Sequence, residues 1–296
     1  MAEKIGRFGT TSANYNTTNL QPPLDKIVNS GICKLRVSQY YFDEPLFDEY
    51  ELTTVRATWD FQAAEAIVQN GYHILDMGCG DGRLLLHLAQ KYKLANSIGI
   101  DVSTVAIDRF NSLIPSTQHS YIHARVGDIF KLPQDIIHQR FNVVTFGDAT
   151  INFILDDNKL EELLNIAKQQ LRDRDSLIML AVLDNGTPER LSFMNKRCTV
   201  VPFRQNNGQA SLIWWAYRYD ADRLILHRSV FAQQGWNDSG DIEGVICDLQ
   251  DRLWTPSSIL PIAERCGLTT HRVFKSEVPD GAAVGMGTAI LTLKPT

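Results

Sequence analysis

The middle of the chain alternates between short apolar runs and segments in which apolar residues recur every three or four positions. The apolar runs predict strands at residues 73–77, 97–101, 120–127, 142–146 and 176–183. Helical spacing predicts helices at residues 83–92, 103–114 and 158–172. The last strand has no polar position between Leu177 and Leu183, which is typical of burial on both faces. This alternation predicts an α/β fold in which helices cover both faces of a mostly parallel sheet.

The segments on either side of this core have different patterns. Apolar positions between residues 24 and 70 recur at helical spacing and predict two or three helices after a polar arm. Residues 211–219 and 223–232 alternate and are rich in β-branched and aromatic side chains, which predicts an antiparallel hairpin. A helix at residues 257–266 and strands at 271–276 and 286–293 are expected to complete the core sheet.

We therefore expect seven strands in the core sheet and four consecutive parts in the chain. These parts are an N-terminal arm with a helical lid, the core, an antiparallel cap inserted after the fifth strand, and a C-terminal helix with two strands. They span residues 1–70, 71–184, 185–256 and 257–296.

Composition narrows the class of protein and the range of partners. The 296 residues are 44% hydrophobic and 21% charged, which is ordinary for a globular protein with a substantial core. The net charge of -5 and the lack of a block rich in Lys and Arg predict that nucleic acid is not a partner. The five cysteines form no C-x-x-C pair, and no apolar run has the length of a membrane span. We therefore expect a cytoplasmic protein with no membrane partner.

The loop after the first core strand has the clearest chemical pattern. Asp76-x-Gly78-x-Gly80-x-Gly82 places glycines where a strand turns sharply into a helix and where a ligand can approach the backbone. Alone, the pattern is a weak signal, because glycine-rich turns also occur without any ligand.

Two acidic strand ends strengthen this signal. Asp101 ends the second strand, where a dinucleotide-binding sheet hydrogen-bonds ribose hydroxyls, a position that also suits NAD. Asp128 ends the third strand, where its carboxylate could accept a hydrogen bond from an adenine amine. Three such signals in this order rarely coincide by accident.

These residues resemble the motifs of the class I, Rossmann-like S-adenosylmethionine-dependent methyltransferases of small molecules, over roughly residues 71–183. The resemblance implies a Rossmann-like fold and S-adenosyl-L-methionine as the cofactor. It implies that Gly78 and Gly80 lie against the amino-acid part of the cofactor. It further implies that Asp101 binds the ribose diol and that Asp128 with Ile129 holds the adenine. The remaining cofactor-binding residues that we expect from it are Asp76, Gly82, Val102 and Phe146.

The segment after the fourth strand is where methyl acceptors usually bind in that family. Asp148 and Asn152 in this segment could orient an acceptor, although both residue types also serve as helix caps and loop hydrogen-bonding groups. The Asn/Asp-Pro-Pro-Tyr motif of many nucleic-acid amino-methyltransferases is absent, which argues against a base-modifying role.

The predicted hairpin carries a second group of candidate residues. Alternation places Trp215 and Tyr217 on one face, where they could line an apolar substrate pocket or pack against the core or a second subunit of a homodimer. Tyr15 and Tyr40, near the N-terminus, are further candidate substrate contacts. Asp148 and His227 are candidate general bases if the acceptor is a hydroxyl, whereas an amine need only lose a proton before attack.

No metal site is predicted. His119 and His123 stand four residues apart on an expected strand, where roughly 13 Å separates them, too far to share a metal ion.

The sequence therefore predicts an S-adenosylmethionine-dependent methyltransferase of a small molecule such as a specialised metabolite, with nitrogen slightly favoured over oxygen as the acceptor. Two alternatives remain open. An NAD-dependent oxidoreductase could use the same nucleotide-binding half, although no Tyr-x-x-x-Lys pair is evident. A non-catalytic protein could bind S-adenosylmethionine only to regulate a partner.

Overall fold

A computed structural model describes residues 9–11, 20–30, 33–38, 45–53, 57–184, 197–236, 242–276 and 287–296. The chain forms two compact units, one from Met1–Arg56 with Glu189–Asp251 and one from Ala57–Pro188 with Arg252–Thr296. The α-helices are α1 (Leu24–Asn29), α2 (Pro45–Thr53), α3 (Phe61–Glu65), α4 (Arg83–Lys91), α5 (Thr104–Leu113), α6 (Gln134–Ile137), α7 (Asp157–Gln169) and α8 (Pro256–Arg265). The strands are β1 (Gly9–Thr11), β2 (Cys33–Val37), β3 (His73–Met77), β4 (Asn96–Asp101), β5 (Ile122–Val126), β6 (Val143–Phe146), β7 (Leu177–Asp184), β8 (Cys198–Arg204), β9 (Ala210–Asp220), β10 (Ile225–Trp236), β11 (Ile242–Arg252), β12 (Leu268–Ser276) and β13 (Gly287–Pro295).

The core unit contains a seven-stranded sheet in the order β12-β13-β7-β6-β3-β4-β5. The pairs from β7 through β6, β3 and β4 to β5 are parallel, whereas β13 is antiparallel to both β12 and β7. The predicted α/β fold with a mostly parallel sheet of seven strands is confirmed. The two C-terminal strands complete this sheet, as the sequence pattern indicates.

Burial on both faces of this sheet explains its nearly continuous apolar strands. Leu75 and Val144 belong to one buried cluster, whereas their chain neighbours Ile74 and Val143 belong to another. Helices α7 and α8 contribute to the first cluster, and α3, α4 and α5 contribute to the second. Because neither face is exposed to water, the central strands have little polar alternation.

The strand order reverses direction at β3. The chain continues from β3 to β4 and β5 on one side, and then returns to place β6 and β7 on the other side. In open α/β sheets, ligands bind outside the carboxyl ends of the strands at such a switch point. Two loops leave the sheet there: the glycine loop, residues 78–82 after β3, and the β6 loop, residues 147–153 after β6.

The other unit contains a six-stranded sheet in the order β1-β2-β11-β10-β9-β8. The predicted hairpin is present as β9 and β10, which pair antiparallel from Ile225 opposite Asp220. Leu46 and Phe47 of α2 pack in one cluster with this sheet, and Leu24 of α1 packs in another. The hairpin is thus part of a larger sheet with a helix on each face.

The described part of the N-terminal segment contains strands as well as the expected helices. Beside three short helices it has β2, which pairs in parallel with β11, and β1, which pairs with β2. Residues 1–56 therefore group with the β8–β11 sheet. The five-residue strand β2 is too short to show a clear period of two, and its partner lies far along the chain, so local patterning could not reveal it. No helix in the described part of the chain is long and apolar enough to cross a membrane.

Candidate active site at the switch point

The glycine loop turns tightly over the end of β4. The backbone N–H groups of Gly78 and Cys79 both donate to the Ile100 carbonyl, at 2.8 and 3.0 Å. Gly78, Gly80 and Gly82 have φ angles of 77°, 53° and 78°, in the left-handed region that favours glycine.

The three glycines face different surroundings. A Cβ on Gly78 would lie 2.4 Å from Thr150 Cγ2, and a Cβ on Gly82 would lie 2.1 Å from the Phe110 ring. A Cβ on Gly80 would meet no atom within 4 Å. Gly78 and Gly82 therefore allow the loop to pack against the β6 loop and α5, while Gly80 borders open space.

Asp101 is positioned by two backbone donors at the end of β4. Its Oδ2 accepts from the Gly80 N–H and its Oδ1 accepts from the Ser103 N–H, each at 2.9 Å. Ser103 in turn caps α5 by accepting from the Ala106 N–H. Val102, next to this acid, is 44% exposed, so an apolar surface lies beside a carboxylate whose orientation is fixed.

Asp128 lies just beyond β5, the strand that pairs with β4. The register places Asp101 opposite Val126, so the two acids follow the ends of adjacent strands, as predicted. Asp128 is exposed, and its Oδ1 accepts from the Phe130 N–H at 2.8 Å. Ile129 is half-buried and packs against the core.

Two of the expected cofactor residues are buried in the sheet. Asp76 is 2% exposed and accepts a 2.7 Å hydrogen bond from the Thr145 hydroxyl. Burial raises the pKa of Asp76 to about 7, although the Thr145 hydrogen bond and the charge of Arg83 oppose the shift. Phe146 is fully buried within the core cluster, so its side chain supports the end of β6 and contributes no exposed surface to the crevice.

The β6 loop has two strained residues directly after Gly147. Asp148 and Ala149 have φ angles of 41° and 66°, although neither is glycine. Such left-handed conformations cost roughly 1–2 kcal/mol per residue, and they cluster at functional sites. The exposed Asp148 accepts from the Trp59 indole N–H through Oδ1 at 3.1 Å, and its backbone N–H donates to Asp60 Oδ2 at 3.0 Å.

Asp60 also binds Arg83, the first residue of α4. The guanidinium donates to both carboxylate oxygens of Asp60, at 2.7 and 2.6 Å, and to the Ala57 carbonyl at 2.7 Å. Burial alone would lower the pKa of Arg83, but the carboxylates of Asp60 and Asp148 more than offset it, and the net shift is upward. The guanidinium is therefore held as a buried cation.

Sequence reasoning missed Trp59, Asp60 and Arg83 as parts of the site. The one available signal was Arg83 itself, a charged residue between the third glycine and an apolar run of leucines. A buried arginine needs a paired acid, but the identity of that acid is visible only in the fold.

Asn152 lies in a different environment from the one expected. Its side chain is fully buried, and its amide donates to the Arg252 carbonyl at 2.7 Å. The Trp254 indole N–H donates to the Ile154 carbonyl at 3.0 Å nearby. Asn152 thus fastens the β6 loop to Arg252, the last residue of β11. Phe153, by contrast, is 46% exposed and was not singled out from the sequence.

In the other unit, the predicted aromatic pair lies on one face of the sheet. The Trp215 and Tyr217 rings stack with centroids 6.4 Å apart and an 8° interplanar angle, and Tyr50 lies 6.1 Å from Trp215. The Arg228 guanidinium lies 5.9 Å from the Trp215 ring and is paired with Asp251. Burial raises the pKa of Tyr217 to about 12.

His227 projects from the opposite face. Its neighbour Arg228 is directly opposite Tyr217 in the register, so alternation turns His227 away from the aromatic pair. Burial, followed by the charge of Arg218, lowers the pKa of His227. A pocket lined by Trp215 and Tyr217 therefore does not contain this imidazole.

Two further expectations concern other parts of the chain. Tyr15 and Tyr40 lie outside the described residues. Within the described ranges, no three His, Cys, Asp or Glu side chains come together in a way that could hold a metal ion.

The methyltransferase domain family matches this chain over residues 68–197. N-methyltransferase 4 of Papaver somniferum is 26% identical over 198 residues, which cover 60% of this chain and 54% of that protein. The chain thus spans about half the length of the curated relatives it matches.

Solved structures resemble most of the chain. The sugar N-methyltransferase KedS8 of Streptoalloteichus sp ATCC 53650 has a TM-score of 0.62 and 12% identity, covering 97% of this chain and 98% of its own. CalS10, an amino pentose methyltransferase of Micromonospora echinaspora solved with S-adenosylmethionine bound, has a TM-score of 0.57 and 15% identity, covering 86% of this chain and 98% of its own. At these identities the likeness concerns the fold. Together, the two comparisons show that residues 68–197 match a methyltransferase domain and that the chain has the Rossmann-like fold of S-adenosylmethionine-dependent methyltransferases.

Proposed function

We propose that this chain transfers the methyl group of S-adenosylmethionine to a small molecule, with an amine nitrogen as the favoured acceptor. The observation that carries the proposal is the arrangement at the switch point. Open space beside Gly80 adjoins the fixed carboxylate of Asp101, and the β6 loop contacts the same glycine loop through Thr150.

The residues present fit the cofactor. The space beside Gly80 would take its amino-acid part, next to the turn at Gly78. Asp101 would accept hydrogen bonds from the ribose hydroxyls, and Val102 would supply the adjoining apolar surface. Asp128 and Ile129, at the end of the neighbouring strand, would hold the adenine. We infer that the buried Asp76 contributes to cofactor binding only indirectly, through its hydrogen bond with Thr145 and its interaction with the charge of Arg83.

The chain's own residues mainly align the reactants. When bound, the cofactor supplies an electrophilic methyl group, which leaves the sulfur as the acceptor nitrogen bonds to it. Alignment of two reactants can supply a large part of such a rate enhancement. The contact between the glycine loop and the β6 loop fixes the methyl-donor side of the site relative to the acceptor side. Asp148, exposed and oriented by the Trp59 indole, is suited to hold the acceptor ammonium or to take its proton.

Two observations favour nitrogen over oxygen. N-methyltransferase 4 and KedS8 are both described as N-methyltransferases. Carboxylates at the switch point complement a cationic amine better than a neutral phenol.

The test is a methyl-transfer assay with labelled S-adenosylmethionine and a panel of amines, phenols and carboxylic acids. We expect label on an amine, and we expect Asp148→Asn to lower kcat by about 10²-fold, within the usual range for losing a general base. Asp156→Asn is the matched control, because Asp156 is another exposed acid whose capping role asparagine preserves.

Label confined to phenols would reassign the acceptor to oxygen, and label confined to nucleic acid or protein would contradict the small-molecule proposal. Cofactor binding without any transfer would favour a regulatory protein. The cytoplasmic location, the homodimer and the roles of Tyr15 and Tyr40 remain predictions.

A further inference from the structure

One buried carboxylate joins the two loops of the proposed site. Asp60 is 0% exposed and accepts hydrogen bonds from both terminal nitrogens of Arg83 and from the Asp148 backbone N–H. Arg83 follows the glycine loop directly and begins α4, while Asp148 lies in the β6 loop. The same side chain therefore holds both sides of the crevice.

Asp60 and Trp59 together hold the strained start of the β6 loop. Asp148 keeps its left-handed φ of 41° while its N–H donates to Asp60 and its Oδ1 accepts from Trp59. Trp59 and Asp60 both precede residue 68, where the match to the methyltransferase domain family begins. The segment just before the domain thus fixes a loop within it.

We infer that Asp60 is a positioning residue for methyl transfer, an inference that rests on the proposed function. It sets the separation between the glycine loop, on the side of the methyl donor, and the β6 loop, on the side of the acceptor. A misplacement of about 1 Å can lower an enzymatic rate roughly 10²-fold. Asp60 exerts this effect through Arg83 and the Asp148 backbone, without touching the reactants.

The opposite end of α3 offers a matched control. Glu65 accepts from Lys91 Nζ at 2.6 Å and lies 2.7 Å from His87 Nε2, and both partners are on α4. Asp60 and Glu65 therefore each tie α3 to α4 through an acid. Of these two acids, Asp60 is the one that also receives a donor from the β6 loop.

The experiment compares Asp60→Asn with Glu65→Gln in kcat, acceptor KM, affinity for S-adenosylhomocysteine, and amide hydrogen exchange of residues 147–152 without ligand. For Asp60→Asn we expect kcat to fall at least about 10-fold, with smaller changes in KM and in S-adenosylhomocysteine affinity. We also expect exchange at the Asp148 amide to accelerate about 10-fold or more, because its acceptor loses its charge. Glu65→Gln should change neither kcat nor exchange at the Asp148 amide.

Equal effects of the two substitutions on exchange or on kcat would overturn the inference, as would unchanged exchange in Asp60→Asn. If the wild-type protein methylates no acceptor, the proposed function fails, and the exchange comparison alone decides whether Asp60 holds the loop. If Asp60→Asn does not fold, Arg83→Lys takes its place, since lysine keeps the charge but loses the two-point contact. Arg83→Lys should then lower kcat and accelerate exchange of residues 147–152. An unchanged kcat or an unchanged exchange rate would overturn the inference.

Discussion

Gly78 and Thr150 are in such close contact that any side chain at position 78 would collide with the threonine. A Cβ on Gly78 would lie 2.4 Å from Thr150 Cγ2, and the Thr150 hydroxyl lies 3.2 Å from the Gly78 carbonyl oxygen and 2.8 Å from that of Gly147. This contact joins the loop after β3 to the loop after β6 at the point where the strand order reverses. Gly78 is therefore needed for packing between the loops, whether or not a ligand is bound.

Substitutions at two glycines of the loop should have different effects on ligand affinity and on the free energy of unfolding. Gly80→Ala should lower the free energy of unfolding by about 1–2 kcal/mol, the cost of a left-handed alanine, and should weaken S-adenosylhomocysteine binding about 10-fold or more. Gly82→Ala should lose roughly a further 1–3 kcal/mol, because its methyl group would overlap the Phe110 ring. Urea unfolding and calorimetry on both variants measure the two effects. Equal stability losses, or unchanged affinity in Gly80→Ala, would contradict this division of roles.

The buried carboxyl of Asp76 should make stability depend on pH. Its pKa of about 7 lies above the ordinary value of 3.8, so the folded state binds this proton more tightly than the unfolded chain does. The resulting stabilisation is full below about pH 4 and is lost as pH rises through about 7, by at most about 1.4 kcal/mol per pH unit.

Asp76→Asn should remove this dependence while keeping an acceptor for the Thr145 hydroxyl. We therefore expect the ligand-free variant to gain stability relative to the wild type between pH 5 and 7, and the difference to level off above about pH 8. Urea unfolding at a series of pH values checks this. A constant difference across the range would show that Asp76 does not titrate there.

Two neighbouring tryptophans test whether the sheet face that carries Trp215 and Tyr217 binds the acceptor. Trp215 lies on the face of Tyr217, whereas Trp214 points to the opposite face and packs near Leu24. If the face that carries Trp215 and Tyr217 binds the acceptor, Trp215→Phe should raise the acceptor KM about 5- to 10-fold, because contact area is lost. The affinity for S-adenosylhomocysteine should stay unchanged. Trp214→Phe should leave KM unchanged. Equal KM values in the two variants would assign Trp215 to packing alone.

The core sheet was predictable because its signals are local. The strand predicted at residues 73–77 has those bounds in the structure, since glycines and apolar runs mark its end and its burial. Asp101 and Asp128 lie where their positions after apolar runs placed them. Asn152 and Phe146 were expected in the site but are buried, because residue type does not reveal which way a side chain is packed.

The connections between distant segments were not predictable from local pattern. The bond from Asp60 to Arg83 and Asp148, and the pairing of β2 with β11, each join parts of the chain that no short window contains. A buried ion pair leaves only a lone charge in an apolar stretch of sequence. Such features determine the geometry of the proposed site, so the chemistry could be predicted in outline but the positioning residues could not.

The most direct test of the account is calorimetric titration of S-adenosylhomocysteine and NAD into the wild-type protein and Asp101→Asn. The variant replaces the carboxylate that is proposed to accept from the ribose hydroxyls, and hydrogen bonds to a charged group contribute about 1.5–3 kcal/mol each. We predict that S-adenosylhomocysteine binds the wild type, that NAD does not, and that the substitution weakens binding roughly 10- to 100-fold. Tight binding of NAD alone, or equal S-adenosylhomocysteine affinity in both proteins, would contradict the account.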